Sequence, residues 1–231
     1  MIFVYRTSAV SRETSIGDID AETEILLNEN GTPISHIIVN QGKPGDMYDD
    51  SCDGTWLLRK DIAENRQWNS SNSNDYENST VNAYLNGDWL NRYDPDVAEA
   101  IKQVKIPYRA GSGTSSTVSS GANGLSVKAF LLSGTEVSAD YEYSPNEGAE
   151  LYYFKGLSIS ANEKRVAEFN GSPATWWIRT PDLYFDNCPH RINSDGSLLA
   201  SNNAMDSNGL RPCIILPYDF KLTDDQIVGV S

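Results

Sequence analysis

The chain is short of cysteine, histidine and positive charge, and it has no long apolar run. Its three cysteines, Cys52, Cys188 and Cys213, lie far apart with no C-x-x-C pair. At least one thiol is therefore left over. Neither a disulfide framework nor a zinc knuckle is suggested, although a single bridge stays open. Lys and Arg number 18 against 32 Asp and Glu, for a formal net charge of -14. Such a surface repels a phosphate backbone and an anionic membrane alike, which argues against nucleic-acid partners and membrane insertion. The carboxylates are scattered along the chain, and solubility is their plainest role. No apolar run approaches the roughly 18 residues of a membrane span, and Met1-Ile-Phe-Val-Tyr-Arg6 lacks the basic and apolar regions of a signal peptide. A soluble protein is expected, carried outside a cell, if at all, by another route.

The two histidines, His36 and His190, also restrict catalysis. His36 falls in an apparent core strand, so a Ser-His-Asp triad would have to use His190, and no G-x-S-x-G segment supports one. Asp49-Asp50 with Asp53, and Asn193-Ser-Asp195-Gly, lack EF-hand spacing and read as turns rather than calcium ligands. A paired-carboxylate hydrolase stays open, because spatial separation is invisible in a sequence. No cofactor and no metal ligand set is expected.

At 231 residues the chain suits one main domain. Residues 23–27 and 34–40 read as strands joined by Asn28-Glu-Asn-Gly31, a hairpin in which His36 shares a face with Ile34 and Ile38. Gly54-Thr-Trp-Leu-Leu-Arg59 has the length of a buried strand, and residues 65–78, rich in Asn, Ser and Asp, read as a surface loop. From Ser79 onward Val81, Tyr84, Leu85 and Trp89 or Leu90 recur at helical spacing, with Ser79 or Thr80 as N-cap. A second helix is expected with Asp94 as N-cap, Pro95 at its first position and Val97, Ala98, Ile101 and Val104 as its stripe, stopped by Pro107. Residues 111–124 read as a flexible loop. Ala129-Phe-Leu-Leu132 is a strand candidate leading to Ser133 and Glu136, which have capping-box spacing at an expected helix start. Residues 150–154 form a further short element, and 176–178 and 210–216 read as core strands.

Between those last two runs lies TPDLYFDNCPHRINSDGSLLASNNA, residues 180–204. Its aromatic, Arg and Asn side chains sit in a turn-rich frame without helical or strand periodicity, a mixture that suits binding better than core packing. Every residue in it has a codon ending in a pyrimidine, and Lys, Glu, Gln, Met and Trp are missing. Randomising AAC or AAT codons at their adenines leaves that pattern.

Gly54-Thr-Trp-Leu-Leu-Arg59, Thr80-Val-Asn-Ala-Tyr-Leu-Asn86, Phe130-Leu-Leu-Ser-Gly134, Trp176-Trp-Ile-Arg-Thr-Pro181, Asn193-Ser-Asp-Gly196 and Gly209-Leu-Arg-Pro212 together resemble bacterial and phage proteins carrying a domain of unknown function with a C-type lectin-like fold. Some of these are similar to the variable proteins of diversity-generating retroelements, built to the plan of the phage major tropism determinant. In those, an error-prone reverse transcriptase rewrites adenines in a C-terminal cassette. The resemblance spans residues 23–217. Ile178 and Thr180 depart conservatively from the expected Trp-Trp-Leu-Arg-Ser-Pro form.

The resemblance implies an α+β, C-type lectin-like fold with two helices and small, mainly antiparallel sheets. Residues 1–22 would be an attachment or oligomerisation segment, 23–217 the domain with a variable region at 176–213, and 218–231 a tail. It implies a non-enzymatic receptor-binding protein of a phage or prophage, virion-associated and facing an unknown host-surface or protein ligand, as a possible homo-oligomer. Ligand-facing side chains would be Leu183, Tyr184, Phe185, Asn187, His190, Arg191, Leu199, Ser201, Asn203 and Asp206, with 193–196 a fixed turn. Two other readings compete: an oxidase of the formylglycine-generating type using Cys188 and Cys213, and a purely structural virion protein. Lectin-like describes the scaffold, and sugar binding does not follow from it.

Overall fold

Asn30 and Gly31 both adopt positive φ, 53° and 74°, and close a two-residue turn between strands Glu24–Glu29 and Thr32–Gln41. That is the geometry hairpins favour, because its twist matches the strands it joins. The strands run closer to the turn than the sequence suggests, pairing as far as Glu29 with Thr32. The structure, a computed structural model, describes residues 12–111, 117–140, 146–199 and 202–229.

The hairpin is the edge of a five-stranded antiparallel sheet that continues through Thr55–Arg59 and Cys213–Leu216 to Ala129–Phe130. All five residues of Thr55–Arg59 are buried. A strand covered on both faces needs apolar side chains in a run rather than in alternation, as Trp56, Leu57 and Leu58 supply. Trp56 packs edge-on between Tyr48 and Phe130, at 5.5 Å from each ring. His36 is buried as expected, with Nε2 3.2 Å from the Tyr93 hydroxyl and Nδ1 3.0 Å from the Ile34 carbonyl. Burial lowers its pKa to about 4.

A second five-stranded sheet has the order Leu198–Leu199, Pro189–Ile192, Trp176–Pro181, Ser207–Gly209, Asn65–Gln67. Its pairs are antiparallel except that Trp176–Pro181 runs parallel to Ser207–Gly209. Two segments cross between the sheets side by side: 60–64 leads from the first to the second, and 210–212 returns. They are tied by Ala63 N to Leu210 O (2.9 Å), Leu210 N to Glu64 O (2.8 Å) and Arg59 N to Pro212 O (3.0 Å). Gly209 is required at this crossing, since a Cβ there would lie 2.6 Å from the Ile62 side chain. Four buried tryptophans, Trp56, Trp68, Trp176 and Trp177, each donate their indole N–H to a main-chain carbonyl, which satisfies the polar end of a large apolar group.

Several expected elements are shorter or different. The first helix spans Thr80–Leu85, with Ser79 Oγ accepting from Asn82 N at 3.1 Å, and Trp89 follows in a separate 3-10 turn, Asp88–Arg92. The second helix, Pro95–Ala100, ends before Pro107, because Val104–Ile106 pairs as a strand with Leu125–Val127. Asp94 is not its side-chain cap; its carboxylate takes Asn28 Nδ2 at 2.8 Å. Ser133 and Glu136 make both reciprocal capping bonds, yet only a turn forms there. Residues 65–78 are not all surface: Asn65–Gln67 is a strand, and Trp68, Asn69, Asn74 and Tyr76 are buried.

The flanks pack onto this body. Glu13–Ser15 pairs with Lys221–Thr223, burying Ile16 and Leu222, so the described parts of both expected appendages are joined to the domain. Of the 111–124 loop, residues 112–116 lie outside the described residues. All three cysteines are free. The result is an α+β protein of small, mostly antiparallel sheets with two short α-helices among the described residues. No helix among them is long and apolar enough to cross a membrane.

Candidate functional site

The central strand of the second sheet, Trp176–Pro181, leads into the irregular segment 182–188, and the strand is anchored from behind. Arg179 is fully buried and donates to Glu136 through Nη1 (2.5 Å) and Nη2 (2.8 Å). The same guanidinium also reaches the carbonyls of Leu131, Pro107 and Glu147. Burial acts against this charge, but the carboxylates of Glu136 and Glu147 outweigh it and raise the Arg179 pKa. Next along the strand, Thr180 Oγ1 donates to Glu147 Oε2 (2.6 Å) and accepts from Gly134 N (2.8 Å). The exit of the strand is thereby rigid.

The loop itself is held by its backbone. Asp182 Oδ1 accepts from the amides of Tyr184 (2.8 Å) and Phe185 (3.1 Å), an Asx arrangement that starts the turn. Burial would raise the Asp182 pKa, but the His190 contact and those two amides prevail and hold it below the usual carboxylate range. From the far side comes Asn74, which is fully buried. Its Nδ2 points at the carbonyls of Phe185 (2.8 Å), Asp182 (3.2 Å) and Cys188 (3.3 Å), while its own amide donates to Asp186 O (2.8 Å). Gly111 presses against Asn74, where a Cβ would come within 2.4 Å of main-chain atoms. The 202–206 segment joins the same assembly through Ala204 N to Asn187 O and Asn69 N to Ala204 O, both 2.9 Å.

With the main chain so engaged, large apolar side chains face outward. Tyr184 is 70% exposed, Phe185 57% and Met205 46%. Asp186 and Asp206 are exposed beside them, and Leu183, Asn187, Arg191, Leu199 and Asn203 are half-buried. Asn203 Oδ1 accepts from Met205 N at 2.8 Å. Arg191 Nη1 donates to Asn208 Oδ1 (3.1 Å), while its Nε is buried without a partner. Leu199 pairs with Arg191 across neighbouring strands. His190 departs from expectation: it is fully buried, its Nε2 3.4 Å from Asp182 Oδ2, so it supports the loop from beneath. Alternation along Pro189–Ile192 accounts for this, since His190 and Arg191 point to opposite faces. Ser201 lies outside the described residues.

Met205, Asp186 and the supporting Asn69 and Asn74 were not among the expected residues. Asn74 carries no sequence signal, because a loop asparagine that bonds its own turn and one that bonds a distant loop look alike. The acidic turns have local duties. Asp49 Oδ1 takes Ser51 N (2.9 Å), and Asp195 Oδ1 takes Ser197 N (2.9 Å) and Oγ (2.6 Å). Among the described residues no cluster of three or more His, Cys, Asp or Glu is placed to hold a metal ion. Burial pushes the Cys213 thiol well above its ordinary pKa, and burial with Asp182, Asp186 and Asp206 nearby pushes Cys188 up as well. Both shifts run against thiolate chemistry.

No curated protein and no solved structure matches the chain. The family DUF6273, a domain of unknown function, matches over residues 53–218, a span that holds the whole second sheet and both loops of the face, and the chain belongs to that family.

Proposed function

We propose that this protein is a non-enzymatic binding module of C-type lectin-like architecture, whose ligand-binding face is formed by loops 182–188 and 202–206. Its ligand would be a host-surface molecule or partner protein, met from a phage particle or its prophage relative, and the cassette behind the face would be diversified by a retroelement. One observation carries most weight: Tyr184, Phe185 and Met205 are 70%, 57% and 46% exposed on loops whose main chain is pinned from within. Exposed aromatic and thioether side chains cost solvation without contributing to the core, and interfaces enrich them. The titratable pair beneath, His190 and Asp182, is turned toward each other and toward loop amides, as support requires.

The test joins a binding measurement to a DNA observation. The purified protein and a Tyr184→Ala, Phe185→Ala, Met205→Ala variant are compared on a panel of bacterial cell surfaces, and at least about a tenfold loss of binding is expected. Equal binding would remove the face assignment. A near-copy of the segment encoding residues 176–212, differing at adenines and lying beside a reverse-transcriptase frame, is expected in the flanking DNA. Its absence would remove the diversification and leave the face.

A further inference from the structure

Three arginines are fully buried among the described residues, and they are not treated alike. Arg179 is matched by Glu136, and Arg165 donates to the carbonyls of Gly196, Val137, Ser138, Ser158 and Ser160. Arg211, 1% exposed, is different. Its Nε donates to Arg59 O (2.9 Å), and its guanidinium stacks 5.0 Å over the Trp176 ring. Its Nη1 has no hydrogen-bond partner, and it forms no ion pair among the described residues, although the charge of Asp61 acts on it. A buried cation left short of hydrogen bonds is expensive, and a fold that keeps one usually has something to place against it.

Arg211 sits in the crossing segment 210–212 and lines an open cleft of about 430 Å³ beside the hairpin strands Glu24–Glu29 and Thr32–Gln41. Asp61, Glu163 and Glu168 stand on the same cleft, with apolar surface from Ile37 and Val166. Lys60 is there too, but Glu24 neutralises it at 2.7 Å. Asp61 Oδ1 accepts from Glu168 N (3.2 Å), and the cleft holds one guanidinium and three carboxylates that form no ion pair among the described residues. A simple anion would be repelled by the walls, and a simple cation would leave the guanidinium unmatched. A molecule carrying both signs next to an apolar group satisfies each.

We propose that this cleft binds a small zwitterion, of which a free α-amino acid with an apolar side chain is the simplest member, its carboxylate on Arg211 and its ammonium on Asp61, Glu163 and Glu168. The site is separate from the 182–188 and 202–206 face, and neither reading depends on the other. The probes are L-leucine, 4-methylpentanoate, which is leucine without its ammonium, and 3-methylbutylammonium, which is leucine without its carboxylate. Each is titrated into the full chain and followed by amide NMR shifts. Saturable shifts around the cleft are expected with leucine, and at least about tenfold weaker binding with either half, because each half forfeits a charge-assisted contact. Arg211→Gln should abolish leucine binding, with near-ultraviolet circular dichroism reporting whether the variant folds. Should it not fold, the rim variant Glu163→Gln, Glu168→Gln decides: it should weaken leucine several-fold while leaving 4-methylpentanoate equal or tighter. No saturable shift with leucine means that water alone satisfies Arg211, and it overturns the proposal. So does equal binding of leucine and 4-methylpentanoate, or a rim variant that binds leucine unchanged.

Discussion

Arg179 has no water to fall back on, so its partners are strictly needed. It is fully buried and held by two bonds to Glu136 and three to carbonyls. Removing one member of such a pair strands the other charge in the interior, at a cost of about 3–5 kcal/mol. Arg179→Met should lower the unfolding free energy by that amount in urea titrations followed by tryptophan fluorescence. Arg179→Met with Glu136→Leu should lose clearly less than the sum of the two single changes, because the stranded charge is gone as well. A sequence offers only half of this picture. The Ser133 to Glu136 spacing is legible as a capping box, and both its hydrogen bonds form. Which carboxylate would meet Arg179 is not legible, since the two residues are 43 positions apart. That long-range pairing holds Glu136 in a turn where a helix was expected.

Among the elements, the most legible were those fixed by nearest neighbours: the Asn30-Gly31 hairpin, the Ser79 cap and the buried strand Thr55–Arg59. The second helix formed but stopped short of its expected end, because Val104, the last residue of its expected stripe, and the following Ile106 found strand partners in Val127 and Leu125, and tertiary pairing outweighs a weak local preference. The candidate face was legible in its outline, through exposed Tyr184 and Phe185, and illegible in its support. Asn74 is the clearest test of that support. Asn74→Ala removes the amide that reaches Phe185 O and Asp182 O while leaving the loop's own sequence intact. Losing one or two such bonds amounts to about 1–2 kcal/mol of local stability. Hydrogen exchange should therefore quicken by about tenfold at the amides of Asp182, Cys188 and Ala204, which bond within or onto the loop. The amides of the hairpin pair Glu24–Glu29 and Thr32–Gln41 should be unaffected, and uniform quickening everywhere would mean a global rather than a local effect.

For the whole molecule, acid should act partly through His36. Burial lowers its pKa from 6.5 to about 4, so the fold favours the neutral ring. The stability this contributes is complete above the unfolded value of 6.5 and is lost as pH falls toward about 4. Glu29, 3.6 Å away, has the opposite sign: burial, opposed by Arg59, raises its pKa, so the fold takes up a proton there more readily. Comparing the chain with His36→Gln isolates the histidine. The gap between their thermal midpoints should narrow steadily from about pH 7 to about pH 4, and a gap independent of pH would assign the acid response to the carboxylates instead.

The grip on the 182–188 loop is exerted almost entirely on main-chain atoms. Asn74 takes carbonyls, Asp182 takes amides, and Ala204 reaches the carbonyl of Asn187. Every amino acid other than proline offers those same atoms. These bonds therefore do not depend on which side chains stand at 184 and 185. If the face binds a ligand as proposed, heritable change at these positions would alter what is recognised while the path of the chain stays the same, so robustness and novelty would be carried by different atoms of one short segment.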